Sequence, residues 1–233
     1  MSNNNTNWEP TDNRFVAFFD ILGFKDRIMR STHEEIYKDL TDLNLLFSEI
    51  EYFTNNETNI SDVHIVNFSD SIVFFSKSDS ILDFNTFIYT IAYAFKKILE
   101  KNIPVKAGVA YGKSSVDKQK NIFFGQPIID AFNMEEDLNY LGIVCHHSID
   151  NYISKFSNNP IMGIGLHIDY LLHSGLTPLK SGKIQHTNIN WFSSYLDNLS
   201  YKKVEEILES LKLTMSGSPR RYIDNTYEFI SNK

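Results

Sequence analysis

The chain has 233 residues, 42% of them hydrophobic and 14% aromatic, enough for one sizeable core. A net charge of −7 argues against broad nucleic-acid binding, whose affinity rests on Lys and Arg contacts to phosphates; a local pocket for one triphosphate is compatible with it. The single cysteine, Cys145, excludes an intramolecular disulfide and, at the end of an apolar run from Leu141, reads as a small buried hydrophobe.

Residues 1–13 are polar and Asn-rich and predict a disordered lead-in without a targeting segment. The run from Arg14 to Leu22 is apolar on both alternating faces, as in a central strand covered on both sides. Thr32 and Glu35 form a capping box ahead of a helix to about Phe53, with Ile36, Leu40, Leu43, Phe47 and Ile50 on one stripe. After a polar loop, Val63 to Phe68 and Ser71 to Ser76 read as two strands with Ser69-Asp70 between them, a tight hairpin. A second amphipathic helix carries Phe84, Phe87, Ile88, Ile91, Phe95, Ile98 and Leu99 and must end before Pro104. Then come a strand from Val105 to Tyr111, a basic polar loop from Gly112 to Lys120, a helix from Ile128 to about Leu138, and a strand from Gly142 to His146. His146 and His147, in a strand, would point to opposite faces and read as structural or surface residues.

This order predicts an α+β fold, a ferredoxin-like split βαβ palm spanning residues 14–148, with residues 149–233 as an extension packed on it. Strands are expected near residues 161–166. A helix capped by Ser200 carries Val204, Ile207, Leu208 and Leu211, and a short terminal helix holds Tyr222, Tyr227 and Ile230. The apolar runs near Phe15 and Ile81 are too short or too interrupted to span a bilayer. A cytoplasmic protein with no membrane or nucleic-acid partner is the expectation.

Two acids stand out. Asp20 lies in the apolar first strand, where an ionised carboxylate needs a cation or a stack of amide donors. Its other reading is a strand-end Asp accepting amides of the Gly23 turn. Asp70 reads alone as ordinary turn chemistry. In a split βαβ fold, however, the hairpin tip meets the C-terminal end of the first strand. Two carboxylates there repel unless a cation lies between them.

These residues resemble a family. Phe19-Asp20-Ile21-Leu22-Gly23-Phe24 resembles the first metal motif of class III nucleotidyl cyclases, and Phe68-Ser69-Asp70-Ser71 their second metal hairpin. The segment from Lys106 to Gly112 is similar to their Arg-x-Gly-Ile-x-x-Gly strand, and Gly125 to Ala131 to the start of the next helix. Two positions depart: Ile129 stands at the ribose-binding Asn of the family and Asn133 at its transition-state Arg. The phrasing around Asp20 and Asp70 and the tail from Ser218 to Thr226 resemble the pyrimidine cyclases of bacterial Pycsar antiphage defence.

The resemblance implies the following expectations. Asp20, Asp70 and the Ile21 carbonyl hold two divalent ions, Mn2+ or Mg2+. Amides of Leu22, Gly23, Phe24 and Lys25 face the triphosphate. Lys106, ahead of Lys113, Lys118 and Lys120, compensates phosphate charge, and Asn67 reads the base. The chain assembles as a homodimer with composite sites, its seam near Phe123, Phe124 and Tyr140. UTP, or alternatively CTP, becomes a 3′,5′-cyclic nucleotide sensed by a downstream effector. A cyclase-like module that binds nucleotide without turnover is the rival reading.

Overall fold

The computed structural model describes residues 8–57, 62–155, 170–194, 196, 199–215 and 219–231. Its centre is a sheet in which β1 (Thr11–Ile21) is flanked by β3 (Ser71–Ser76) and β4 (Val105–Asp117), both antiparallel to it. β2 (Val63–Phe68) pairs with β3 at one edge. This β2-β3-β1-β4 order is the split βαβ arrangement expected from the sequence. Beyond β4 the sheet continues through β6 (Ile143–Cys145), β8 (Gly182–Ile189) and β7 (Leu172–Leu179), while β5 (Ile122–Gly125) pairs with the far end of β4.

The two faces of β1 are covered differently. Phe15, Ala17, Phe19 and Ile21 bury against α2 (His33–Glu57) and α3 (Ile81–Glu100). Val16 packs on the opposite face with Phe75 and Val116, and α4 (Gln126–Asp137) lies across that face. Both helices are capped by side chains at their starts. The Thr32 amide donates to Glu35 and the Glu35 amide to Thr32, closing the capping box. Ser80 caps α3 by accepting from the Asp83 amide.

Glycine decides how closely α4 approaches. A Cβ on Gly108, in β4, would lie 2.0 Å from the Ala131 carbonyl oxygen and 2.7 Å from the Glu135 amide nitrogen. Only a residue without a side chain lets α4 rest there.

Several expectations change. β1 begins at Thr11, within the segment read as lead-in, because Thr11, Asp12 and Asn13 pair with Ser115, Ser114 and Lys113. The stretch from Gly112 is correspondingly a strand as far as Asp117, folding back into β5. Its polar composition concealed a ribbon that is largely solvated on one side. Residues 24–30 form a separate short helix, α1 (Phe24–Arg30). His146 ends no strand: it caps α5 (His147–Ser154), accepting from the Ser148 amide.

The region past residue 148 adds β7 and β8 to the same sheet, then α6 (Tyr201–Thr214), capped by Ser200 as expected, and α7 (Arg220–Ser231). It shares the main core: Trp191 is fully buried and donates to the Leu141 carbonyl at 3.1 Å. Thr226 of α7 accepts from the Leu141 amide at 2.8 Å. The strands expected near residues 161–166 lie outside the described residues. No described helix is long and apolar enough to cross a membrane.

Candidate active site

Asp20 is the penultimate residue of β1 and lies on the face opposite Phe19 and Ile21. Its ladder partners are Ser71 on β3 and Lys106 on β4. Asp70 occupies the two-residue turn between β2 and β3, where Ser69 takes a left-handed φ of 60°. The Ile21 amide donates to the Asp70 carbonyl at 3.0 Å, tying the turn to the end of β1. The fold therefore brings Asp20 and Asp70 to one sheet end. Among the described residues, neither carboxylate has a hydrogen-bond or ion-pair partner. Burial pushes the Asp20 pKa up to about 6; Lys106 opposes this, Asp70 reinforces it, and Lys180 also opposes it.

The turn after β1 depends on a left-handed residue. Gly23 sits at φ 73°, yet a Cβ there would meet nothing within 4 Å, so the backbone angle, not space, asks for glycine. Phe24 is buried and anchors the turn, while Lys25 is exposed. The Leu22 amide donates to the Pro104 carbonyl at 2.9 Å, which removes it from the expected phosphate contacts. Gly23, Phe24 and Lys25 remain at the start of α1, where first-turn amides lack intrahelical partners.

Two further expectations are corrected. Asn67 shares a face with Val63 and Ile65, on the α2 side, and donates to Asn44 at 2.8 Å. It points away from the face that carries Asp20 and cannot read a base there; His64, Val66 and Phe68 occupy that face instead. Lys106 is on the right face but is 5% exposed, with its ammonium 2.7 Å from the Glu135 carboxylate and 2.9 Å from the Glu135 carbonyl oxygen. Its charge is committed to α4 and not open to a phosphate. Of the other lysines, Lys118 pairs with Asp62 at 3.1 Å and Lys120 with Asp117 at 2.7 Å, while Lys113 lies opposite Asn13, at the far end of β1. None is brought to Asp20.

Two residues near the site went unnoticed in the sequence. Glu135 is buried, and burial raises its pKa to about 7, chiefly against the pull of Lys106. A Glu in step with Ala131 and Leu138 on the buried stripe of a helix is the signal that could have revealed it. Lys180 lies exposed in the β7–β8 turn, held by its amide to the Asp137 carbonyl at 2.7 Å. Its charge reaches both Asp20 and Glu135. No sequence signal marked it, because the hairpin itself was not foreseen.

The donor chemistry fits a hard cation that retains water or substrate oxygens. Asp20 and Asp70 offer only oxygen, and neither is partnered among the described residues. Among the described residues no three His, Cys, Asp or Glu converge as a complete protein cage. Phe68 (83% exposed), Ile129 (54%) and Phe132 (40%) lie on the same side of the sheet as Asp20. Asn133 is exposed beside them. Of the three aromatics expected at a seam, Phe124 is exposed and Phe123 stacks on Phe75. Tyr140 is buried and donates to Asn188, so it belongs to the interior.

No protein-family model matches the sequence, and no curated protein matches it. Solved structures do. The guanylyl cyclase domain of the RhoGC fusion protein from the aquatic fungus Blastocladiella emersonii superposes with TM-score 0.55 at 13% identity, covering 76% of this chain and 93% of that one. The adenylyl cyclase CyaB from P. aeruginosa gives 0.54 at 14% identity, covering 77% and 94%. The guanylate cyclase domain of RhGC from Catenaria anguillulae, in complex with GTP, gives 0.52 at 16% identity, covering 76% and 96%. The chain has the palm fold of class III cyclases.

Proposed function

We propose that this chain is a nucleotidyl cyclase that converts UTP to 3′,5′-cyclic UMP and pyrophosphate. The product would serve as a second messenger in antiphage defence, sensed by a cyclic-nucleotide-activated effector. The observation that carries the reading is the meeting of Asp20 and Asp70, two carboxylates without a partner among the described residues, at one end of a cyclase-type palm. Asp20 and Asp70, with the Ile21 carbonyl, would hold two divalent cations, Mn2+ or Mg2+. When bound, these neutralise triphosphate charge and acidify the ribose 3′-hydroxyl. The 3′-oxygen forms its bond to the α-phosphorus as the bond to pyrophosphate breaks. Gly23, Phe24 and Lys25 amides orient the phosphates, and exposed Lys180 supplies positive charge at the mouth.

The pyrimidine choice rests on the Pycsar resemblance. CTP is the alternative substrate. The exposed Ile129 and Asn133, standing where the family has Asn and Arg, favour a second reading, nucleotide binding without turnover. Pyrophosphate release with Mn2+ separates the two: a cyclase releases it in step with cyclic product, and a binding module releases none.

Protons and cations compete for Asp20. Because its folded pKa is raised to about 6, the carboxylate is increasingly protonated below that value. Cation affinity should therefore climb as pH rises through 6 and level off above 7. The half-saturating Mn2+ concentration, followed from pH 5 to 8, checks this; a flat profile contradicts it.

The apolar residues exposed around Asp20 support a homodimer with composite sites. Light scattering should give twice the 27.0 kDa chain mass. A fully active monomer would refute the assembly.

A further inference from the structure

Lys106 stands directly across the β1–β4 ladder from Asp20 and on the same face. A lysine opposite an aspartate in an antiparallel pair ordinarily makes a cross-strand ion pair, since facing side chains start about 5 Å apart. Here it does not. The Lys106 ammonium turns to α4, donating to the Glu135 carbonyl at 2.9 Å and lying 2.7 Å from its carboxylate. The Tyr222 ring of α7 lies 6.0 Å away. Lys106 and Glu135 are both almost fully buried, and contact of α4 with Gly108 fixes where Glu135 sits.

We infer that Glu135 is a positioning residue that keeps Lys106 off Asp20, leaving the Asp20 carboxylate open to a divalent cation. The inference rests on the proposed metal role of Asp20 and adds a residue to it. Without Glu135, a buried ammonium has one obvious anion within reach, its ladder partner. Leaving a buried charge unpaired is costly, so Lys106 would take Asp20. The variant would keep its fold and lose cation affinity. Removing both charges removes the competitor, and affinity should return.

The test is Mn2+ binding to the protein without nucleotide, read from the electron paramagnetic resonance of free Mn2+ at pH 8, where Glu135 is ionised. Glu135→Gln should weaken Mn2+ uptake about tenfold or more, the scale of an opposite charge seated on a buried carboxylate. The double variant Lys106→Met/Glu135→Gln should return to within about threefold of the wild type, the non-additivity expected of directly coupled sites. A purely structural role for Glu135 predicts instead that the double variant binds no better than the single one. Circular dichroism establishes folding. If Glu135→Gln does not fold, Glu135→Asp, which keeps the charge but withdraws it from Lys106, carries the comparison and should weaken uptake. Wild-type affinity in the single variants, or no recovery in the double, overturns the inference alone. No Mn2+ uptake by the wild type overturns the metal reading and the inference with it.

Discussion

Replacing Asp20 or Asp70 with Asn is expected to lower turnover about a thousandfold or more, because losing a charged metal ligand is worth on the order of 4 kcal/mol in the transition state. The fold should not suffer. Neither carboxylate bonds to another described residue, so no structural partner is orphaned. For Asp20 the sign can be taken further. Burial disfavours its charged form, so the metal-free fold carries a penalty above pH 6 that Asn lacks. The Asp20→Asn protein should melt at the same temperature as the wild type or slightly higher at pH 7.5. Pyrophosphate release and thermal melting together decide: normal turnover in either variant sinks the two-acid site.

The second large effect lies in packing. Gly108→Ala places a methyl 2.0 Å from the Ala131 carbonyl oxygen and 2.9 Å from the Met134 Cβ, both on α4. The contact is with backbone, which has no rotamer to yield, so α4 must lift from the sheet. The expected cost is about 3 kcal/mol, at the upper end of overpacking penalties. Gly23→Ala is the internal contrast. It meets no atom within 4 Å and should cost only about 1–2 kcal/mol for the left-handed backbone. Urea denaturation should rank the two in that order. A wild-type midpoint for Gly108→Ala would mean that α4 does not lie where the structure puts it.

Much of the palm was legible because its signals are local. Ser69-Asp70 between two apolar runs announced the hairpin, and Thr32 with Glu35 announced a helix start that forms as read. The meeting of Asp20 and Asp70 then followed from topology. What failed was anything decided by facing. In Val63 to Phe68, both alternating sets contain apolar residues, so the pattern does not say which set is inward. The ladder with β3 settles it and turns Asn67 toward α2. Lys106 was expected to meet a phosphate; the ladder sets it beside Asp20, but its partner Glu135 comes from α4, and no spacing in the chain foretells that contact. The long arm of β4 and the β7–β8 hairpin were missed for a different reason. Neither alternates cleanly: the arm of β4 is polar, and the hairpin leaves Leu176 and Ile184 exposed, so their strand character comes from the strands they pair with.

The most direct test of the central claim is product identity. The purified chain should be incubated with Mn2+ and equal concentrations of ATP, GTP, CTP and UTP, and its products identified by mass spectrometry. Cyclic UMP is predicted to dominate, with pyrophosphate in equal amount. Dominant cyclic CMP would correct only the choice between pyrimidines. Dominant cyclic AMP or cyclic GMP would contradict the pyrimidine assignment, and no cyclic product from any of the four would contradict catalysis itself.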